Sequence, residues 1–301
     1  MSGAKRPSPD LRRRSIINQA EKLLEEEGLA SLPVDLEALA ETRGITVQAK
    51  PDTAPGVSGM LLRYGDEFGI LYATHILSIG YQRFSIAHEL GHYFLDGHAE
   101  ILVPTPGSHH SSRAGFATDD PYEREADYFA SGLLMPTDLF LQEQRRRDDG
   151  LDAIIEIAEL CQSSITATAI RYADLSKSAV AAIVSTGNTV EFAFLSEGVK
   201  ELKNITWIRK GSAVPGESLT ARFNADASLL RTGARRDDDV DVSIWLGGDR
   251  SVMGREEVLG LGAYGKTLTI LTFTVRDETY GDDGEGEEED LVEHWTPRFR
   301  R

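Results

Sequence analysis

A chain of 301 residues, 41% apolar and 27% charged, has material for a real core and excludes a mostly disordered or fibrous protein. Its 32 basic against 49 acidic side chains give a net charge of −17, which repels phosphate backbones on average and makes basic proteins better company than nucleic acid. The single cysteine, Cys161, excludes an intrachain disulfide and fits a reducing cytoplasm.

Residues 1–11 read as a loose polar tail without the apolar core of a signal peptide. No run of eighteen apolar residues occurs, so no membrane span is expected. From Leu11 the apolar residues Ile16, Ile17, Ala20, Leu23 and Leu24 recur at helical spacing up to Gly28. A second short helix is expected from Val34 to Arg43, followed by extended segments at Ile45–Val47, Gly59–Leu62 and Phe68–Ala73. The Tyr64-Gly65-Asp66 stretch makes the last two a hairpin. A strong helix spans Tyr81 to Leu95, and a loop of about two dozen residues carrying His109-His110 comes next. Another helix starts at Asp120-Pro121, an N-cap with proline in the first turn, and carries the stripe Ala126, Phe129, Ala130, Leu133, Leu134. Pro136 interrupts it, and helices follow from Thr137 to Arg147, Leu151 to Cys161 and Ile165 to Leu175.

Beyond residue 178 the texture turns to strands. Ala179–Val184 and Val190–Leu195 flank a hairpin turn, and Ile205–Arg209, Val240–Leu246 and Lys266–Val275 read as extended, with one helix near Glu217–Ala227. A boundary is placed near 177, and 277–301 reads as an acidic, disordered tail with seven acids between Asp282 and Asp290.

The sharpest feature is His88-Glu89-Leu90-Gly91-His92 on the third helix. Two imidazoles four residues apart share a face and can bind one metal ion. At about 100° per residue they fall nearly opposite the stripe of Ile86, Leu90 and Tyr93, with Glu89 beside them, placed to act as a general base. A zinc site of this kind takes a third protein ligand and leaves one place for water. Glu123 competes with His98 for that role. It is favoured because it projects from the inward face of its helix, whereas Glu125 points away and His98 lacks the glycine turn of the metzincin pattern. Asp127, one turn after Glu123, could orient a ligating histidine.

His-Glu-Leu-Gly-His, followed by Glu-Arg-Glu-Ala-Asp-x-Phe-Ala-x-x-Leu-Leu-Met-Pro at 123–136, resembles the ImmA/IrrE metallopeptidases, which are gluzincin-like. The resemblance covers roughly residues 12–175. The strand-rich texture beyond 177 gives a smaller α+β domain at 178–276, open to a sensory or regulatory role, so the chain as a whole reads as α+β. The resemblance implies a mainly helical zincin-like domain with a small sheet at 12–177. It also implies His88, His92 and Glu123 as ligands of Zn2+ (Mn2+ or Fe2+ being alternatives in the cell) and Glu89 as catalytic base. The expected substrate is a protein, a helix-turn-helix repressor governing stress-response or mobile-element genes. An oxyanion donor is sought among Tyr122, His98, His109 and His110, without a choice between them. The alternative is a non-catalytic zinc regulator that binds a repressor or DNA. Residues 155–175 could form a helix-turn-helix, but a plain helical hairpin is favoured, so direct DNA binding is not expected.

Overall fold

The computed structural model describes residues 9–51, 56–112, 120–202, 204–248 and 251–274. The acidic stretch 277–301 and residues 1–8 lie outside these. Among the described residues the chain is α+β, with twelve α-helices and two sheets of four and five strands.

Helix α1 (Pro9–Glu26) begins earlier than expected, so Pro9 to Leu11 are helical rather than a tail; proline at the first position and Asp10 in the first turn suit a helix start. It buries Ile16, Ile17, Ala20 and Leu24. Helix α2 (Leu36–Glu41) is capped by Asp35, whose carboxylate accepts from the Ala38 N–H. Strands β1 (Thr46–Lys50), β2 (Gly59–Tyr64) and β3 (Glu67–Ala73) follow, with β2 and β3 as the hairpin and β1 parallel to β3. Gly65 takes φ 65° in the hairpin turn, a conformation that L side chains adopt at a cost.

Helix α3 (Ile79–Phe94) lies against β2 and β3, is N-capped by Ser78, and is covered along most of its length. The expected loop after it contains two elements: helix α4 (His98–Leu102) and strand β4 (His109–Ser112). The His-His-Ser-Ser sequence of β4 has no apolar alternation, so only its pairing with β2, Leu61 opposite His110, makes it a strand. The sheet order is β1-β3-β2-β4.

Helix α5 (Pro121–Leu134) starts at the Asp120 cap and packs between α1 and α3. Burying Phe129, Leu133 and Leu134 together contributes roughly 5–9 kcal/mol, enough to fix α5 against the cost of drawing Glu123 inward. Helices α6 (Thr137–Gln144), α7 (Leu151–Cys161) and α8 (Ile165–Leu175) complete this part. From Ala167 to Ala173 every residue of α8 is buried, so it presents no free face to a DNA groove. Two of the three arginines near the start of α1 are paired: Arg13 with Asp174, and Arg12 with Glu125. No single described helix is long and apolar enough to cross a membrane.

The second sheet comprises β5 (Ala179–Thr186), β6 (Thr189–Leu195), β7 (Arg235–Asp241), β8 (Met253–Gly260) and β9 (Thr267–Phe273) in the order β6-β5-β9-β8-β7, every pair antiparallel. Val180, Ala182, Val184, Leu268 and Ile270 join the core of the helices before it, while Ala181, Ile183 and Leu271 face a second apolar cluster. Buried Glu257 ties the halves together by accepting from the Leu151 N–H at 2.8 Å and pairing with Arg235.

Several expectations beyond 200 are corrected. Residues 205–209 form no strand; they are anchored by the Thr206 N–H on the Leu246 carbonyl. Val240–Leu246 is not one extended run: β7 ends at Asp241, whose carboxylate accepts from the Ser243 N–H and turns the chain into helix α12 (Ser243–Leu246). The helix near 217–227 is two, α10 (Leu219–Asn224) and α11 (Ala227–Arg231), because Asp226 caps the second. Strand β8 was not foreseen: Gly254-Arg255-Glu256-Glu257 carries charge into its middle, and Glu256 is buried only because it accepts from Thr220 and Leu219. A short helix, α9 (Glu197–Lys200), follows β6.

Cys161 is fully buried at the end of α7, and burial pushes its thiol up to about 12. Since the thiolate is the reactive form, the native protein is expected to resist Ellman's reagent at pH 8. Denaturant should release one equivalent of thiol; rapid native labelling would contradict this burial.

Candidate metal centre

Helices α3 and α5 cross at Gly91. A Cβ there would lie 3.1 Å from Ala126 Cα and 3.2 Å from the Ala126 carbonyl oxygen. This close approach lets Glu123, one turn before Ala126, reach the two histidines of α3. Gly91→Ala gains up to about 1 kcal/mol of helix propensity. Pushing against backbone that cannot rotate aside costs about 1–3 kcal/mol. A lower melting temperature and reduced metal uptake are therefore expected, checked by thermal denaturation and metal titration.

His88 Nε2 and His92 Nε2 face each other at 3.0 Å, and Glu123 oxygens stand 3.2 Å from the first and 3.5 Å from the second. Ligands about 2.05 Å from a tetrahedrally bound ion stand roughly 3.3 Å apart. The three side chains are thus spaced as donors around one ion, their ligand atoms all within 4.8 Å of one another. Two imidazoles and one carboxylate suit a divalent transition metal without choosing among Zn2+, Mn2+ and Fe2+.

Both histidines are buried and braced from behind. His88 Nδ1 meets Asp127 Oδ1 at 2.8 Å, which fixes the tautomer that presents Nε2 to the cluster. Burial opposes protonation of His88, but Asp127 and Glu123 outweigh it and raise its pKa. At His92, burial and the neighbouring His88 win over Glu123, and protonation is disfavoured. Burial works against ionised Glu123 too, yet hydrogen bonds from His110, His88 and His92 hold its carboxyl far below the usual range.

Glu89 lies fully buried beside this cluster under the start of β2, where a Cβ on Gly59 would come 2.6 Å from Glu89 Oε1. Among the described residues its two oxygens and the Ser112 hydroxyl have no partner in hydrogen-bond geometry, although Ser112 is near enough to favour the carboxylate. Burial dominates and pushes the Glu89 carboxyl up to about 7.

The four donor candidates separate. His110, on β4, reaches the cluster: its Nε2 lies 2.9 Å from Glu123 Oε1 and its ring 5.0 Å from that of His92. His109 is exposed where His110 is half-buried, as alternation along a strand requires. His98 sits behind His92, its Nδ1 3.2 Å from His92 Nδ1, so it is neither among the three facing donors nor on their side of the ring. Tyr122 packs edge-on against His98 at 4.9 Å. Glu125 contacts Arg12 and His98, not the cluster. Two neighbours of Glu89, Gly59 and Ser112, escaped the reading of the sequence. A glycine opening an apolar strand was the available sign of close approach at Gly59; nothing local marks Ser112.

Residues 40–172 match a family model described as the IrrE N-terminal-like domain, Peptidase_M78. No curated protein matches the chain. Among solved structures it is similar to a Mycobacterium tuberculosis transcriptional regulator, with 15% identity and a TM-score of 0.55, covering 88% of this chain and 78% of that one. At that identity the likeness is one of fold.

Proposed function

As residues 40–172 belong to the IrrE N-terminal-like peptidase family, we propose that this protein is a zinc-dependent endopeptidase of the cytoplasm, acting on a helix-turn-helix repressor. The observation that carries the reading is the pairing of a His88–His92–Glu123 donor set with a buried Glu89 whose oxygens have no hydrogen-bond partner among the described residues. A purely structural site has no need of a desolvated carboxylate held beside its ligands. The family supports peptidase chemistry, and the fold likeness to a transcriptional regulator is compatible with a repressor as substrate.

A divalent cation held by His88, His92 and Glu123 supplies positive charge that acidifies water and polarises a carbonyl. Glu89 accepts the water proton at a carboxylate oxygen as the water oxygen attacks the peptide carbon. Its buried setting, which raises the affinity of the carboxyl for a proton, suits it to take that proton and pass it on. The proton is then delivered to the leaving amide nitrogen as the C–N bond breaks. His110, whose Nε2 contacts Glu123 Oε1 at 2.9 Å, turns that N–H from the carboxylate to the carbonyl oxygen as negative charge gathers there, and Asp127 keeps the His88 ring oriented throughout.

The test is metal analysis of the purified protein, with incubation against helix-turn-helix proteins encoded beside its gene. One equivalent of zinc and a chelator-sensitive cut found by mass spectrometry are expected. Absence of bound metal under zinc-replete purification would sink the proposal.

A further inference from the structure

We infer that Arg12, Glu125 and His98 form a positioning relay that holds His92 to the cation site and ties helix α1 to it. The inference rests on reading His88, His92 and Glu123 as ligands. If His92 offers its Nε2 lone pair to the cluster, its Nδ1 carries the proton. His98 Nδ1, 3.2 Å away, is then the acceptor. His98 must therefore carry its own proton on Nε2, which faces Glu125 Oε2 at 3.3 Å. Glu125 is in turn held by Arg12, whose Nε and Nη2 donate to its two oxygens at 2.8 and 2.5 Å. Every donor in this chain meets one acceptor, with both rings neutral.

The placement is built by the fold. Gly97 takes φ 83° just past the end of α3, turning the chain so that His98 comes back behind His92, 1% exposed. The Tyr122 ring packs edge-on against it. The two histidine ligands are thus supported differently: His88 by a carboxylate directly, His92 by an imidazole with a carboxylate and a guanidinium behind it. The outermost member comes from α1, outside the 40–172 segment that defines the family match.

The test compares His98→Leu, which fills the space without an acceptor, with His98→Gln, which keeps one. Zn2+ affinity of the full chain is read by chelator competition, and ligand geometry by the visible absorption of Co2+ placed in the site. His98→Leu should weaken Zn2+ binding about 10–100-fold and shift the Co2+ bands, and His98→Gln should restore most of both. Glu125→Gln, at the partly exposed end of the chain, should give a smaller loss with the fold intact. Equal losses in His98→Leu and His98→Gln would mean that His98 only fills space, and an unchanged Glu125→Gln would remove the outer links; either result overturns the relay. A wild-type chain that binds neither Zn2+ nor Co2+ would instead remove the ligand set on which the relay depends.

Discussion

Glu89→Gln is expected to lower turnover of the protein substrate by about 10²–10⁴-fold while leaving zinc stoichiometry unchanged. The amide keeps the size and burial of the side chain but cannot accept the water proton. Among the described residues Glu89 makes no hydrogen bond to the three donors, so the cluster is expected to survive the change. The measurement is kcat on a cleaved repressor or a peptide spanning its scissile bond, with zinc quantified on the same preparation. Full activity in the variant rejects Glu89 as base. A variant that cannot cut but still relieves repression in cells would favour a non-catalytic regulator.

The second large effect concerns stability. The His88 and His92 Nε2 atoms stand 3.0 Å apart beside the Glu123 carboxylate, a donor set that a divalent cation would hold together in the native state and not in the unfolded chain. With Zn2+ at about a thousand times its Kd, the native state gains about 4 kcal/mol, which corresponds to a rise in Tm of roughly 10 °C. Chelation should reverse it. Glu123→Ala removes one of three ligands and should abolish the response, so that its Tm no longer depends on zinc. Differential scanning calorimetry with and without chelator checks both; a zinc-dependent shift of undiminished size in Glu123→Ala would show that Glu123 is not a ligand.

The elements around the centre were largely legible. The periodicity of α3, the Asp120-Pro121 start of α5 and the β2–β3 hairpin turn are all local signals: a cap, a fixed proline φ and a glycine at positive φ act within a few residues. The second sheet was less so. Strand β8 was missed because Glu256 and Glu257 are buried in it to cap α10 and α7, helices distant in the chain. Tertiary partners overrode the charge pattern that a local reading weighs against a strand.

At the centre itself, four-residue spacing alone puts His88 and His92 on one helical face, since 3.6 residues per turn leaves no other choice. Which carboxylate meets them, and which histidine stands beside rather than behind them, depends on where α5 crosses α3 and where β4 pairs with β2. Those contacts are made between segments far apart in sequence. Gly91, with no Cβ, sets how close Glu123 comes, and the Leu61–His110 register brings a histidine from an apparent loop against it. Residue types and their periodicity were written in the chain; distances between elements arise only when apolar burial brings the helices and sheet together.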